Sequence, residues 1–226
     1  MKKIILSVII IIMIYNYSYS QNWEWTKKAP NVEYSDQRGV FTDISGNVYN
    51  YGSRQFAYYY SSSPLTDTIG SYLNCFNSSG TLLFKKRWSI PFYITKMIFE
   101  DNSIFFSATF YGTQTINGFT ISSEGDTDGA IGKMDMNGNI LWISTFGGTE
   151  RDKCMGLTFN PATLALYATG CIKNSLSIDH VFKSTGKQSA IILQYNKSGI
   201  PLQHKLYDYV PTRDSWEINC GLEMSC

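Results

Sequence analysis

Apolar positions in this chain recur in short runs broken by turn residues, the pattern of strands that bury one or both faces. Three segments line up: SYLNCFNSSGTLLFKKRW (71–88), GAIGKMDMNGNILWISTF (129–146) and SAIILQYNKSGIPLQHKL (189–206). Each holds an apolar run, a four-residue turn and a second apolar run. The turns open on Asn or Asp and close on Gly80, Gly138 and Gly199, spaced 58 and 61 residues apart. An Asn or Asp side chain caps a backbone N–H at the start of such a turn, and glycine supplies the positive φ at its end, so the three segments predict β-hairpins.

A second hairpin recurs between them. DQRGVFTDISGNVYNYGS (36–53) turns at Asp43–Asn47, ITKMIFEDNSIFFSAT (94–109) at Glu100–Ser103, and RDKCMGLTFNPATLALYATG (151–170) at Asn160–Thr163. Each unit of about 60 residues therefore carries four strands, a to d. Four antiparallel strands per repeat is the layout of a β-propeller blade. A four-stranded sheet buries neither face alone, and stacking blades buries both, which explains dense apolar runs such as SAIILQY. At the ends, NWEWTKKA (22–29) aligns with the d strands, and RDSWEINCGLEMSC (213–226) aligns with the a strand that opens at Arg151. The expected fold is all-β: a β-propeller-like array of four-stranded antiparallel blades, with three full repeats plus terminal strands. The repeat domain spans 21–226, in units of about 30–88, 89–146 and 147–206 and a partial unit 207–226. An arc of a larger propeller, a minimal four-bladed ring and association between chains are the alternatives for closure.

The first twenty residues stand apart. Lys2 and Lys3 precede an apolar run from Ile4 to Ile14, and small residues at Ser18 and Ser20 precede Gln21. That is the layout of a secretory signal peptide, with cleavage expected after Ser20; a membrane span needs about 20 apolar residues, so an uncleaved anchor is the weaker alternative. The expected location is secreted or cell-surface. The formal net charge of +1 gives no electrostatic case for nucleic acid. Five cysteines, at 75, 154, 171, 220 and 226, form no CxxC pair, so no zinc site is expected. Cys154 and Cys171 are a candidate disulfide across adjacent strands, and small buried thiols are the alternative.

FTDISGNVYNYGS (41–53), GDTDGAIGKMDMNGNILWISTFGGTERD (125–152) and LYATG (166–170) resemble the bacterial SBBP-type β-propeller repeat. Asp43, Gly46, Asn47, Tyr49 and Gly52 match it in the first unit. In the second the matches are Asp128, Lys133, Asp135, Gly138 and Trp142, then Gly147, Gly148 and Asp152. The resemblance covers nearly the whole mature chain and implies a secreted or cell-surface bacterial protein. It carries no shared catalytic residues.

Two groups of residues are candidates for binding. Glu124, Asp126, Asp128, Gly129, Ile131 and Asp135 satisfy the spacing of a calcium loop. The flanks read as strands rather than helices, so a scaffold role for Asp128 and Asp135 competes with a calcium site formed by Glu124, Asp126 and Asp128. The long b–c connections, 54–70, 110–128 and 171–188, vary while the hairpins do not, and loops on a rigid scaffold commonly carry recognition. The first holds Phe56, Tyr58, Tyr59 and Tyr60, suited to stacking on sugar rings or a peptide. Only His180 and His204 are available for nucleophilic catalysis, and there is no GxSxG elbow. The expected function is a non-catalytic scaffold for protein or glycan contact, with no cofactor. A propeller-type carbohydrate-active enzyme and an incomplete product of a larger propeller gene are the alternatives.

Overall fold

The computed structural model describes residues 36–54, 70–178 and 181–208. Of these, 77 % lie in strands, and there is no helix among them. The strands are β1 (Asp36–Thr42), β2 (Val48–Arg54), β3 (Gly70–Phe76), β4 (Leu82–Trp88), β5 (Phe92–Glu100), β6 (Ser103–Ile116), β7 (Phe119–Met134), β8 (Ile140–Gly147), β9 (Lys153–Asn160), β10 (Ala165–Ile178), β11 (Val181–Asn196) and β12 (Pro201–Asp208). Consecutive strands pair antiparallel within β1–β4, β5–β8 and β9–β12, giving three four-stranded meanders. The first is a separate sheet. The second and third are joined where Ser177 and Ile178 of β10 pair with Gly147 and Phe146 of β8, so they count as one eight-stranded sheet that curls as a half-barrel.

The turns have the construction read from the sequence. The Oδ1 atoms of Asp43, Asn77, Asp135 and Asn196 each accept two backbone N–H groups, from the residues two and four positions on, at 2.8–3.1 Å. Gly46, Gly80, Gly138 and Gly199 follow at φ between 74° and 84°. The other two turns differ. Asp101 and Asn102 both hold positive φ, the geometry of a two-residue hairpin loop. Asn160 caps Ala162, and Leu164 takes the positive φ of that turn.

The meanders stack face against face. Phe106, Ala108 and Phe110 of β6 enter one core with Tyr49, Tyr51, Leu73 and Trp88 of the first meander. Phe105 of the same strand enters a second core with Leu166, Ala168, Leu193 and Tyr195 of the third. All eight residues from Ser103 to Phe110 are buried for this reason. Full burial of a Phe side chain stabilises by about 1.5–3 kcal/mol. Hydroxyl groups then fix one meander on the next. Ser71 Oγ donates to Phe92 O and accepts from Ile94 N, both at 2.8 Å. Thr109 Oγ1 makes the same pair of bonds to the backbone of Cys154, at 3.4 and 3.2 Å. Turn tips lock in as well: Trp142 Nε1 donates to Lys197 O at 3.1 Å, and its ring lies where a Cβ on Gly199 would come within 2.6 Å.

Two sequence expectations need correction. Cys154 stands opposite Gly170, on the face away from Cys171, and is a free buried thiol, so Cys154 and Cys171 do not pair. Cys75 is likewise free and buried, whereas Cys171 is disulfide-bonded. The second and third b–c connections are regular hairpin extensions rather than loops: β6 and β7 run on to Asn117–Gly118, and β10 and β11 pair as far as Ile178 and Val181. The leader 1–20, the terminal strands expected at 22–29 and 213–226, and the first b–c connection lie outside the described residues.

Candidate functional site

The b–c ribbon of the second meander is the best-defined exposed feature. Asn117 and Gly118 turn it at φ 50° and 88°. An Asn-Gly pair between β-branched runs is the strongest short hairpin signal, and it is the sequence cue that identifies this ribbon. A bulge at Gly112, φ 65°, bends the ribbon away from the meander. Alternation then gives it two faces. Ile116 and Ile121 are buried, and Phe119 packs beside them against the first core. The tip reaches the end of β4, where Trp88 Nε1 donates to Asn117 Oδ1 at 3.4 Å. The opposite face is a row of cross-strand hydroxyls, Thr113 with Ser122 at 2.8 Å and Thr115 with Thr120 at 3.2 Å. All four residues are exposed. Rigid, solvent-facing hydroxyls of this kind can exchange water for the hydroxyls of a sugar or the amides of a peptide at little ordering cost.

At the base of the ribbon lie the residues with calcium-loop spacing. The whole stretch from Glu124 to Met134 is strand β7. Asp126 is exposed and pairs with Arg151 at 2.9 Å. Glu124 is exposed, and its backbone N–H donates to Asp128 Oδ2 at 3.0 Å. Asp128 is buried, with its carboxyl packed where a side chain on Gly147 would stand. Asp135 caps the c–d turn just beyond the end of β7, nine residues from Asp126 and eleven from Glu124. Among the described residues no group of three or more His, Cys, Asp or Glu side chains is placed to hold a metal ion.

Asp128 instead works with Asp152, the last residue of the Gly-Gly-x-x-x-Asp stretch. The Gly148 N–H faces both carboxylates and favours their charged forms against the effect of burial. Asp152 Oδ1 also accepts the Lys173 N–H of β10 at 2.6 Å, and Thr127 exchanges two further bonds with the Asp152 backbone, at 2.7 and 2.8 Å. The pair thus sews β7, the 148–152 turn and β10 together, which joins the second meander to the third. Burial, with the neighbouring Asp152 and Glu124 charges, pushes the Asp128 carboxyl up to about 7. Burial and Glu150 push Asp152 up to about 6. Asp128 is 2 % exposed and Asp152 0 %, so no substrate reaches them, and the arrangement is that of a proton-sensitive staple.

The remaining predicted residues are scattered. Phe56, Tyr58, Tyr59 and Tyr60, and His180, lie outside the described residues. His204 is half-buried on β12 and borders a groove of about 250 Å³ with Tyr167, Ile192, Gln194, Gln203 and Lys205. That groove lies on the outward face of the third meander, far in sequence from any acid of the staple. No protein-family model matches the chain, and no curated protein matches it. Among the described residues no helix is long and apolar enough to cross a membrane.

Proposed function

We propose that the protein is an exported, non-catalytic scaffold of propeller-type blades that makes protein or glycan contacts through its b–c ribbons. The observation that carries this reading is the exposed hydroxyl row Thr113, Thr115, Thr120 and Ser122, held on a ribbon whose other face is anchored in the core. Three stacked four-stranded meanders support the blade reading, as do the resemblance of the Asp43–Gly52 and Asp128–Asp152 segments to SBBP-type repeats and the leader-like start of the chain. Phe56, Tyr58, Tyr59 and Tyr60 of the first b–c connection belong to the same contact surface in this proposal. A weak calcium site at Glu124, Asp126 and Asp128 would stiffen the base of the ribbon, and calcium titration followed by melting tests it directly.

Binding is tested with the full chain, purified after export, on a glycan array and in parallel by cross-linking to intact cells. Saturable retention is expected in one arm. It is expected to fall at least tenfold in a Thr113→Ala, Thr115→Ala, Thr120→Ala triple variant that melts within about 2 °C of the parent, since exposed substitutions change stability by about ±0.5 kcal/mol each. Retention that is undiminished in the variant removes the ribbon from the proposal. Retention of the uncleaved leader on the purified protein, with the chain confined to the cytoplasm, removes the exported scaffold.

A further inference from the structure

We infer that the free edge of β6 along the second b–c ribbon, from Thr113 to Ile116, takes an extended peptide holding Gly-Thr or Gly-Ser as an added antiparallel strand. This rests on the ribbon being a contact surface, as proposed above, and names the chemistry it takes. Two ribbons of one construction carry the inference. β6 and β10 each hold a positive-φ residue, Gly112 and Asn174, both at 65°, where the register shifts. Four cross-strand pairs follow in each ribbon, from Thr113 to Ile116 and from Ser175 to Ile178. Thr113 therefore corresponds to Ser175, Gln114 to Leu176, Thr115 to Ser177 and Ile116 to Ile178.

Among the described residues, only the ribbon of the third meander has another strand along this edge. The end of β8 runs antiparallel to β10 there, with Phe146 opposite Ile178 and Gly147 opposite Ser177. Two residues further on, Thr149 stands opposite Ser175. Its N–H donates to Ser175 Oγ at 3.0 Å, and the two hydroxyls lie 3.3 Å apart. Ser175 and Ser177 are accordingly 5 % and 3 % exposed. On β6 the same edge pairs with β5 only up to Phe110, and the Tyr111 N–H donates to Pro91 O at 3.3 Å. Beyond that point no described strand pairs with Thr113 to Ile116 on this side, and Thr113 and Thr115 are exposed. The cause is the length of the link between meanders. Trp88 and Phe146 each stand eight residues beyond a turn glycine, and Trp88 reaches Asn117 at the ribbon tip. After Phe146 the chain has residues 147–152 in which to follow the ribbon before β9 begins. After Trp88 it has only residues 89–91 before β5 begins.

An edge with unpaired N–H and C=O groups is a template for strand addition. The chain's own segment 147–149 shows which side chains such an edge admits. A Cβ on Gly148 would run into the Oγ and the carbonyl oxygen of Ser175, so the ribbon itself demands glycine at that place. Thr113, bulkier than Ser175, makes the same demand on β6. A Cβ on Gly147 would instead meet the Asp128 carboxyl, which belongs to the staple. In the first meander the matching position, ten residues before the turn glycine, is Gly70, which has no carboxyl. The place opposite Thr115 is therefore open to a larger residue. The residue after the demanded glycine meets Thr113, as Thr149 meets Ser175, and a hydroxyl there completes the pair.

The test is titration of the full chain with the synthetic peptide acetyl-Gly-Gly-Thr-Glu-Arg-amide, which copies residues 147–151, read by calorimetry and by hydrogen exchange. Saturable binding is expected, with exchange at amides 113–116 slowed about fivefold and amides 175–178 unchanged. Replacing the peptide's second glycine by alanine is expected to weaken binding about tenfold, and replacing its first glycine by less than about threefold. No saturable binding, protection confined to residues other than 113–116, or equal losses from the two alanines overturns the inference. Because the decisive changes are in the peptide, no variant of the chain has to fold. Ribbon-dependent retention of a glycan or cell ligand without peptide binding overturns strand addition and leaves the ribbon as the contact surface. Loss of both removes the contact surface as well.

Discussion

The second and third meanders have the same strand order and long b–c ribbons of similar build, yet they sit in different surroundings. The second is packed on both faces, and its β6 is buried without a break from Ser103 to Phe110. The third is packed on one face by the second, and its other face carries the groove and the closed Cys171 end. Chemistry follows position. At the site where the second meander places Phe105, fully buried, the third places Tyr167, half-buried; where the second places Thr109, the third places Cys171. A repeat that always meets a successor uses apolar bulk and a hydroxyl. The last described repeat uses an aromatic with a polar tip and a covalent tie.

The largest effect expected from breaking that comparison is at the Phe105 position. Phe105→Ala opens a cavity between the second and third meanders and is expected to cost about 3–5 kcal/mol, a fall in melting temperature of roughly 10 °C or more. Tyr167→Ala removes a half-buried ring bordering the groove and is expected to cost about 1 kcal/mol. Thermal melting of the two variants side by side checks this. Equal losses would mean that the outward face is as closely packed as the inner one.

Next comes the hydroxyl bridge. Ser71→Ala leaves the buried Phe92 C=O and Ile94 N–H without their shared partner, at a cost of about 2 kcal/mol. Thr109→Val, at the second bridge, removes longer bonds and is expected to cost about 1 kcal/mol. Urea denaturation gives both values. A larger loss at Thr109 than at Ser71 would place the stronger joint between the second and third meanders.

The acids divide in the same way between local and connecting roles. At Asp43 and Asp135 burial alone would raise the carboxyl, but the hydrogen bonds within the turn outweigh it and hold both below the usual range. Those two stabilise the fold above the ordinary carboxylate pKa and lose that contribution in acid. The staple has the opposite sign. Asp128, raised from 3.8 to about 7, binds its proton more tightly in the folded state, so its contribution falls as pH rises from about 4 to about 7 and stays low above that. Asp128→Asn keeps an acceptor for the Glu124 N–H and removes the charge. The variant is expected to lose less stability than the parent between pH 5 and pH 8, by on the order of 2 kcal/mol. Melting curves across that range check it, and a parent that gains stability relative to the variant on going to pH 8 would overturn the staple.

Much of this architecture was legible in the sequence, because its signals are local. The Asn or Asp cap and the glycine at positive φ sit within one turn, so hairpins at Gly80, Gly138 and Gly199 needed no long-range information. What was not legible depended on bends and distance. The alternation through Thr113, Thr115, Thr120 and Ile121 was masked by the bulge at Gly112, which shifts the register by one residue and makes a strand read as a loop. The calcium-like spacing from Glu124 to Asp135 falls on a strand and its turn rather than on one loop. A loop template counts residues and says nothing of depth: Asp128, inside β7, is buried beside Gly147 and Gly148, while Asp126, two residues before it towards the ribbon, is exposed and pairs with Arg151. The pairing of Asp128 with Asp152 spans 24 residues and is a contact between meanders, which no local pattern reports.

The smallest expected effect separates two glycines that share a backbone conformation. Gly118 at the ribbon tip and Gly199 at the c–d turn of the third meander both hold positive φ, 88° and 84°. A methyl group on Gly118 meets nothing within 4 Å, whereas on Gly199 it would come within 2.6 Å of the Trp142 ring. Gly199→Ala therefore adds a steric clash at the joint between meanders to the conformational strain, and global stability falls. Gly118→Ala carries the strain alone, about 1 kcal/mol, at a tip beyond the last core contact. That strain opens the ribbon locally without unfolding the stack: hydrogen exchange at amides 113–122 is expected to quicken about fivefold, while amides of β6 from Ser103 to Phe110 keep their protection. If the β6 amides quicken in step with the tip, the ribbon and the meander form one cooperative unit, and the exposed hydroxyl row is part of the core structure rather than an appendage mounted on it.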